Sequence, residues 1–142
     1  MTTEDTSEHH GHGVPPRHKV LHYHGDEVRV LFFVSALVLL VAQSTGVDLH
    51  LSTFTAVAMA IILVVAAGIT NPAQYRIHWF NALLSVTGVL FFGTSAVDSY
   101  RIGASIFDPS FVYIEALALL SLVALYFTTR TVRGNILRPR LQ

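Results

Sequence analysis

The chain contains no cysteine, and only 13% of its 142 residues are charged, against about 25% in an ordinary soluble domain. The first absence excludes disulfide frameworks, thiolate metal sites and cysteine nucleophiles. The second leaves too few charges to clothe four helices with a solvated face. There is no surplus of either sign, since nine Lys and Arg balance nine Asp and Glu, so nothing global points to nucleic acid. No phosphate loop, no zinc-helix pair of histidines with a glutamate and no serine-glycine elbow occurs, so neither an enzyme nor a cofactor is expected. Residues 1–27 are polar and acidic with no basic lead into the first apolar run, unlike a signal peptide, and no prenylation or myristoylation pattern is present.

What the chain has is apolar length. The composition is 52% hydrophobic and the mean hydropathy is +0.54. The runs VLFFVSALVLLVA, FTAVAMAIILVVAAG and FVYIEALALLSLVALYF are apolar nearly all round, whereas a soluble amphipathic helix keeps a polar face. Four segments, about 27–45, 49–67, 72–100 and 109–133, approach the roughly 20 residues needed to cross a bilayer. Their start signals are local: Asp26 before the first, Asp48 or Ser52 before the second, and Asn71-Pro72 and Asp108-Pro109 before the third and fourth. In the last two a capping side chain precedes a proline whose missing N–H costs nothing at the first helical position. Gly46, Gly68 and Gly134 stand where the first, second and fourth should end. The short turn from Gly68 to Pro72 predicts that the second and third helices pack against each other.

The fold class that follows is an all-α membrane protein with four transmembrane helices in an antiparallel up-down bundle. A disordered histidine-containing tail (1–25) precedes the membrane domain (26–133), and a basic tail (134–142) follows it. With both termini on one side, that side carries Arg17, Lys19, Arg29, Arg76, Arg130, Arg133, Arg138 and Arg140, and the other carries only Arg101. This bias predicts a multi-pass protein of the cell membrane with cytoplasmic termini. The C-terminal arginines suit anionic lipid headgroups, at about 1 kcal/mol for each basic residue near the surface. Without aromatic interleaving or a recognition motif they do not point to nucleic acid.

Helices in lipid associate through small residues and occasional polar contacts. The second segment has Ser52, Ala56, Ala60 and Gly68 at fourfold spacing, the third has Asn81, Ser85, Gly88, Ser95 and Ser99, and the fourth has Ala116, Ala124 and Thr128. These stripes seat helix on helix within one bundle, or seat a second copy or another membrane subunit. The same residues of the third segment would also line a permeation path, and spacing alone does not separate the two.

Glu115 is the single most informative residue. It falls about seven positions into the fourth segment, roughly 10 Å from the end marked by Asp108, and a carboxylate inside a membrane is a functional hypothesis by default. Facing Arg101 as counter-ion it would be structural. Facing Asp98, His50 and Asp48 it would build a proton or cation site from oxygen and imidazole ligands. His50 and His78 belong to opposite ends of the spans, which argues against a haem held between them. His9, His10, His12, His22 and His24 are the remaining metal-capable set, and His22 and His24 share one side of an extended backbone.

Three functions follow as expectations: a structural or accessory membrane subunit working through helix contacts, an oligomeric transporter or channel for protons or metal cations built on Glu115, and a cytoplasmic metal sensor built on the histidine tail.

Overall fold

The computed structural model describes residues 25–70 and 75–136, and in these residues the regular structure is entirely helical. Helix α1 spans Gly25–Ser44, α2 Thr53–Ile69, α3 Tyr75–Arg101 and α4 Pro109–Ile136. Three of them, α1, α3 and α4, are long and apolar enough to cross a membrane. Helix α2 has 17 residues, about 26 Å at 1.5 Å per residue. The histidines His9, His10, His12, His22 and His24, with the arginines Arg138 and Arg140, lie outside the described residues.

The ends of the helices are set by particular residues. Gly46, with φ +72°, closes α1: its N–H donates to the Gln43 carbonyl (3.3 Å) and the Val47 N–H to the Ala42 carbonyl (3.2 Å), the Schellman pattern that favours glycine at the left-handed position. Gly103, with φ +86°, does the same for α3, with Gly103 N–H on the Tyr100 carbonyl (3.1 Å) and Ala104 N–H on that of Ser99 (3.0 Å).

Helix α2 begins four residues later than the hydrophobic run implies. Asp48 accepts the His50 backbone N–H at 2.8 Å, holding a turn in which His50 has φ 56°. Ser52 is the N-cap, its Oγ accepting the Thr55 N–H at 3.2 Å. Leu49 is buried outside any helix, so its apolarity serves the core and not the helix. Asp108 Oδ1 accepts the Ser110 N–H at 2.9 Å, with Pro109 opening α4. Two glycines do not act as stops: Gly68 lies inside the last turn of α2, and α4 runs through Gly134 to Ile136.

The packing is sequential in space but not in chain order. Helix α1 packs on α2 and on α4, and α4 packs on α3, giving the spatial order α2, α1, α4, α3. Helices α2 and α3, despite the short connection, make no comparable contact, which corrects the expectation that they are packing neighbours. The physical reason lies in which helix offers matching small residues. Ala56, Ala60, Ala66 and Ala67 of α2 are buried, and its main packing partner among the described helices is α1. Gly88 of α3 lies against Ser121 of α4, where an added Cβ would approach Ser121 Cβ to 3.0 Å and meet its Oγ.

Two apolar clusters occupy the two ends. One joins Ala36, Leu39 and Ala42 to Leu49, Ala60, Phe92, Ala96, Ile114 and Leu117. The other joins Val28 and Phe32 to Ala66, Ala67 and Ala124. At this second end the Arg29 Nε donates to the Ala67 carbonyl at 3.0 Å. A cation thus meets the carbonyls of the last turn of α2, where the helix dipole is negative. From the sequence alone Arg29 counts only toward the basic bias of the side that carries the termini.

Candidate functional site

Most buried polar side chains are at the end where α3 begins: Thr70, His78, Asn81, Ser85, Thr128 and Thr131 are all buried. Hydroxyls within helices ordinarily discharge their hydrogen bond to the carbonyl one turn back, and these do so. Ser85 donates to the Asn81 carbonyl (2.8 Å), Thr128 to Ala124 (2.6 Å) and Thr131 to Phe127 (2.9 Å). Asn81 departs from this self-contained pattern. Its Nδ2 donates at 2.9 Å to Thr70 Oγ1, which itself donates to the Ala66 carbonyl at 2.6 Å. This chain of bonds ties the last turn of α2 to the second turn of α3. The residue is 1% exposed, and among the described residues its Oδ1 finds no hydrogen-bond donor.

Above this bond the two helices separate, and the gap between them is a cavity of about 210 Å³ reached by all four helices. Its walls include Met59 and Leu63 of α2 and Phe92 of α3, with the hydroxyls of Ser35, Ser85 and Ser121 spaced among them. Ser85 and Gly88 on this wall belong to the small-residue stripe read from the sequence, whereas Ser35 and Ser121 on the wall, and Thr70 in the bond below it, do not. The available signal was small polar residues inside otherwise continuous apolar runs, as in LFFVSALV and LLSLVAL.

The carboxylate set is arranged differently. Glu115 is half-buried in a groove between α3 and α4 that is lined by Val89, Gly93, Val97, Tyr100, Ala118, Leu119 and Leu122. It forms no hydrogen bond or ion pair with another described residue, and neither does Arg101. Asp98, Arg101, Asp48 and His50 are exposed. Among the described residues no three His, Asp or Glu side chains come close enough to share a metal ion. On insertion scales a charge inside a membrane costs up to about 2.5–3.5 kcal/mol, and no pairing with another described residue offsets such a cost at Glu115.

Of the small-residue stripes, Ala56 and Ala60 of α2 are buried, whereas Ser52 and Gly68 are exposed. An added Cβ at Gly68 would meet nothing within 4 Å. The α2 stripe is therefore shorter than its spacing implies, and Ser52 is occupied with capping. On α3, Asn81, Ser85, Gly88 and Ser99 are buried and Ser95 is half-buried, its hydroxyl donating to the Phe91 carbonyl at 2.8 Å. On α4, Ala124 and Thr128 are buried and Ala116 is half-buried.

Set against known protein families, curated proteins and solved structures, the chain has no significant match in any of the three.

Proposed function

We propose that this chain is an integral membrane protein with four antiparallel spans and cytoplasmic termini, serving as a structural or accessory subunit that binds other membrane helices. The observation that carries the reading is the inversion of its surface. Phe33 and Leu37 of α1, Phe54 and Ile61 of α2, Leu83 and Leu90 of α3, and Leu119 and Leu122 of α4 are all exposed, Phe54 to 84%. Much of the interior is built of alanine and hydroxyl residues. In water such a surface far exceeds the apolar patch a soluble monomer tolerates; in hydrocarbon it costs nothing.

The other parts of the reading have their own support. Helix α2, at 17 residues, meets the lower limit of about 17 for a span. The bond from Arg29 near the start of α1 to Ala67 near the end of α2 supports an antiparallel pair. The eight-to-one distribution of Lys and Arg supports cytoplasmic termini. A role in binding other helices draws on α2, whose one substantial neighbour is α1, and on the α3–α4 groove.

Two measurements test this. The chain should remain in membranes washed with alkaline carbonate, and should leave native membranes in mild detergent with a fixed stoichiometry of a second copy or a second protein. Recovery in the wash overturns the membrane reading, and a lone monomer overturns the accessory role. Proton or metal-cation flux in liposomes that Glu115→Gln abolishes would replace it with a transporter.

A further inference from the structure

We infer that the α3–α4 groove around Glu115 is the seat of a second copy of this chain, with Glu115 of each copy paired to Arg101 of the other. The inference rests on the membrane reading and names the face and the partner that it requires.

An apolar groove with a lone carboxylate calls for a partner that brings a cation or a hydrogen-bond donor at the same level. This chain carries that group beside the groove. Val89, Gly93 and Val97 line the α3 wall, and Arg101 is the next position in that fourfold series, on the same helix face. Arg101 is exposed, and neither it nor Glu115 has a partner within the described residues.

The levels also match. Glu115 is six residues into α4, which begins at Pro109, so it lies roughly 9 Å along the axis from the end that α3 reaches at Arg101. Side chains lean toward the N-terminus of their own helix. Arg101 therefore leans back along α3 toward the level of Glu115, while Glu115 leans toward the start of α4. A face carrying both charges is complementary to itself under a twofold axis, the condition for an isologous dimer. Gly93, whose added Cβ would meet nothing within 4 Å, with Ala118 beside it in the groove, leaves room for a close approach.

The absence of cysteine makes the test direct. Leu119→Cys and, separately, Val97→Cys are oxidised in native membranes, with Leu37→Cys and Ile61→Cys on the exposed faces of α1 and α2 as controls. The expected result is a disulfide-linked dimer at positions 97 and 119 and its loss at 37 and 61. In the Leu119→Cys background Glu115→Arg alone and Arg101→Glu alone should each lose the dimer, and the chain bearing both should recover it. Each single variant that loses the dimer while staying in carbonate-washed membranes still inserts. Co-expression of the two single variants should also recover the dimer, as a heterodimer with both pairs restored.

No dimer at 97 and 119 in carbonate-resistant protein overturns the inference and leaves the membrane reading intact. Equal cross-linking at the control positions also overturns it, as random collision. Recovery in the double variant without recovery on co-expression overturns it in favour of a pair within one chain. Chain recovered in the carbonate wash overturns the underlying reading instead.

Discussion

The two ends of the bundle solve the problem of the interior in different ways. Where α1 finishes and α4 begins, the core is apolar but for Ser99: Leu39, Leu49, Ile114 and Leu117 are each no more than 1% exposed, and the charged residues Asp48, Asp98, Arg101 and Asp108 stand outside it. Where α3 begins, the interior takes in Thr70, His78, Asn81, Thr128 and Thr131. The lesson is that polarity is tolerated inside when each group has a backbone carbonyl of its own helix within reach, as the threonines do. Asn81 is different because an amide has more hydrogen-bonding capacity than one local carbonyl satisfies. Its N–H reaches the end of another helix for an acceptor, and among the described residues its oxygen has no donor.

The comparison can be broken at its midpoint with the largest effect. Gly88→Val places a side chain where a Cβ already meets Ser121, so α3 and α4 must part and both ends lose their common wall. A loss of about 3 kcal/mol or more is expected, read as a collapse of the denaturation midpoint or of folded yield. Gly93→Ala, on the same helix with open space at its Cβ, should leave the isolated chain unchanged or more stable by up to about 1 kcal/mol.

At the apolar end, Leu39→Ala removes a side chain with 0% exposure and should cost about 2–4 kcal/mol in reversible denaturation, from lost packing and the cavity left behind. At the polar end, Thr70→Val keeps the shape but strips the hydroxyl that accepts from Asn81. A buried amide donor left without an acceptor costs about 1–3 kcal/mol. Asn81→Leu in the same chain should return much of that loss, and additive single effects in the double-mutant cycle would show that the two side chains are not coupled. The smallest effect belongs to the capped turn: Ser52→Ala should cost about 1 kcal/mol and fray the start of α2 in amide exchange.

The helices themselves were readable because their signals are local. The Asp108-Pro109 start depends on side chains and backbone within three residues, and the end at Gly46 on backbone bonds that span no more than five. Gly103 is an equally local stop, but the hydropathy pattern already ends the third segment near position 100, so the glycine was not used. The start of α2 was misplaced for a different reason. Leu49 is apolar because it is buried, and hydropathy cannot tell a buried loop residue from the first turn of a helix. Ser52 and Gly68 fit a fourfold stripe on paper, but the exposed surface of α2 takes them in.

Glu115 was legible as the residue to ask about, though its surroundings were not. Sequence reasoning placed Asp98, His50 and Asp48 near it by depth alone, and depth leaves open the position around each helix.

What the sequence determined by itself was the all-helical character, the number of helices and the uneven placement of charge, since these follow from hydropathy, capping and counting along the chain. What only the tertiary structure decided was the spatial order α2, α1, α4, α3, the bond from Asn81 to Thr70, the cavity between α2 and α3 and the groove around Glu115. Each depends on which helix face meets which, and that is settled by the fit of small residues such as Gly88 and Ser121 across helices distant in sequence, a fit that no local pattern encodes.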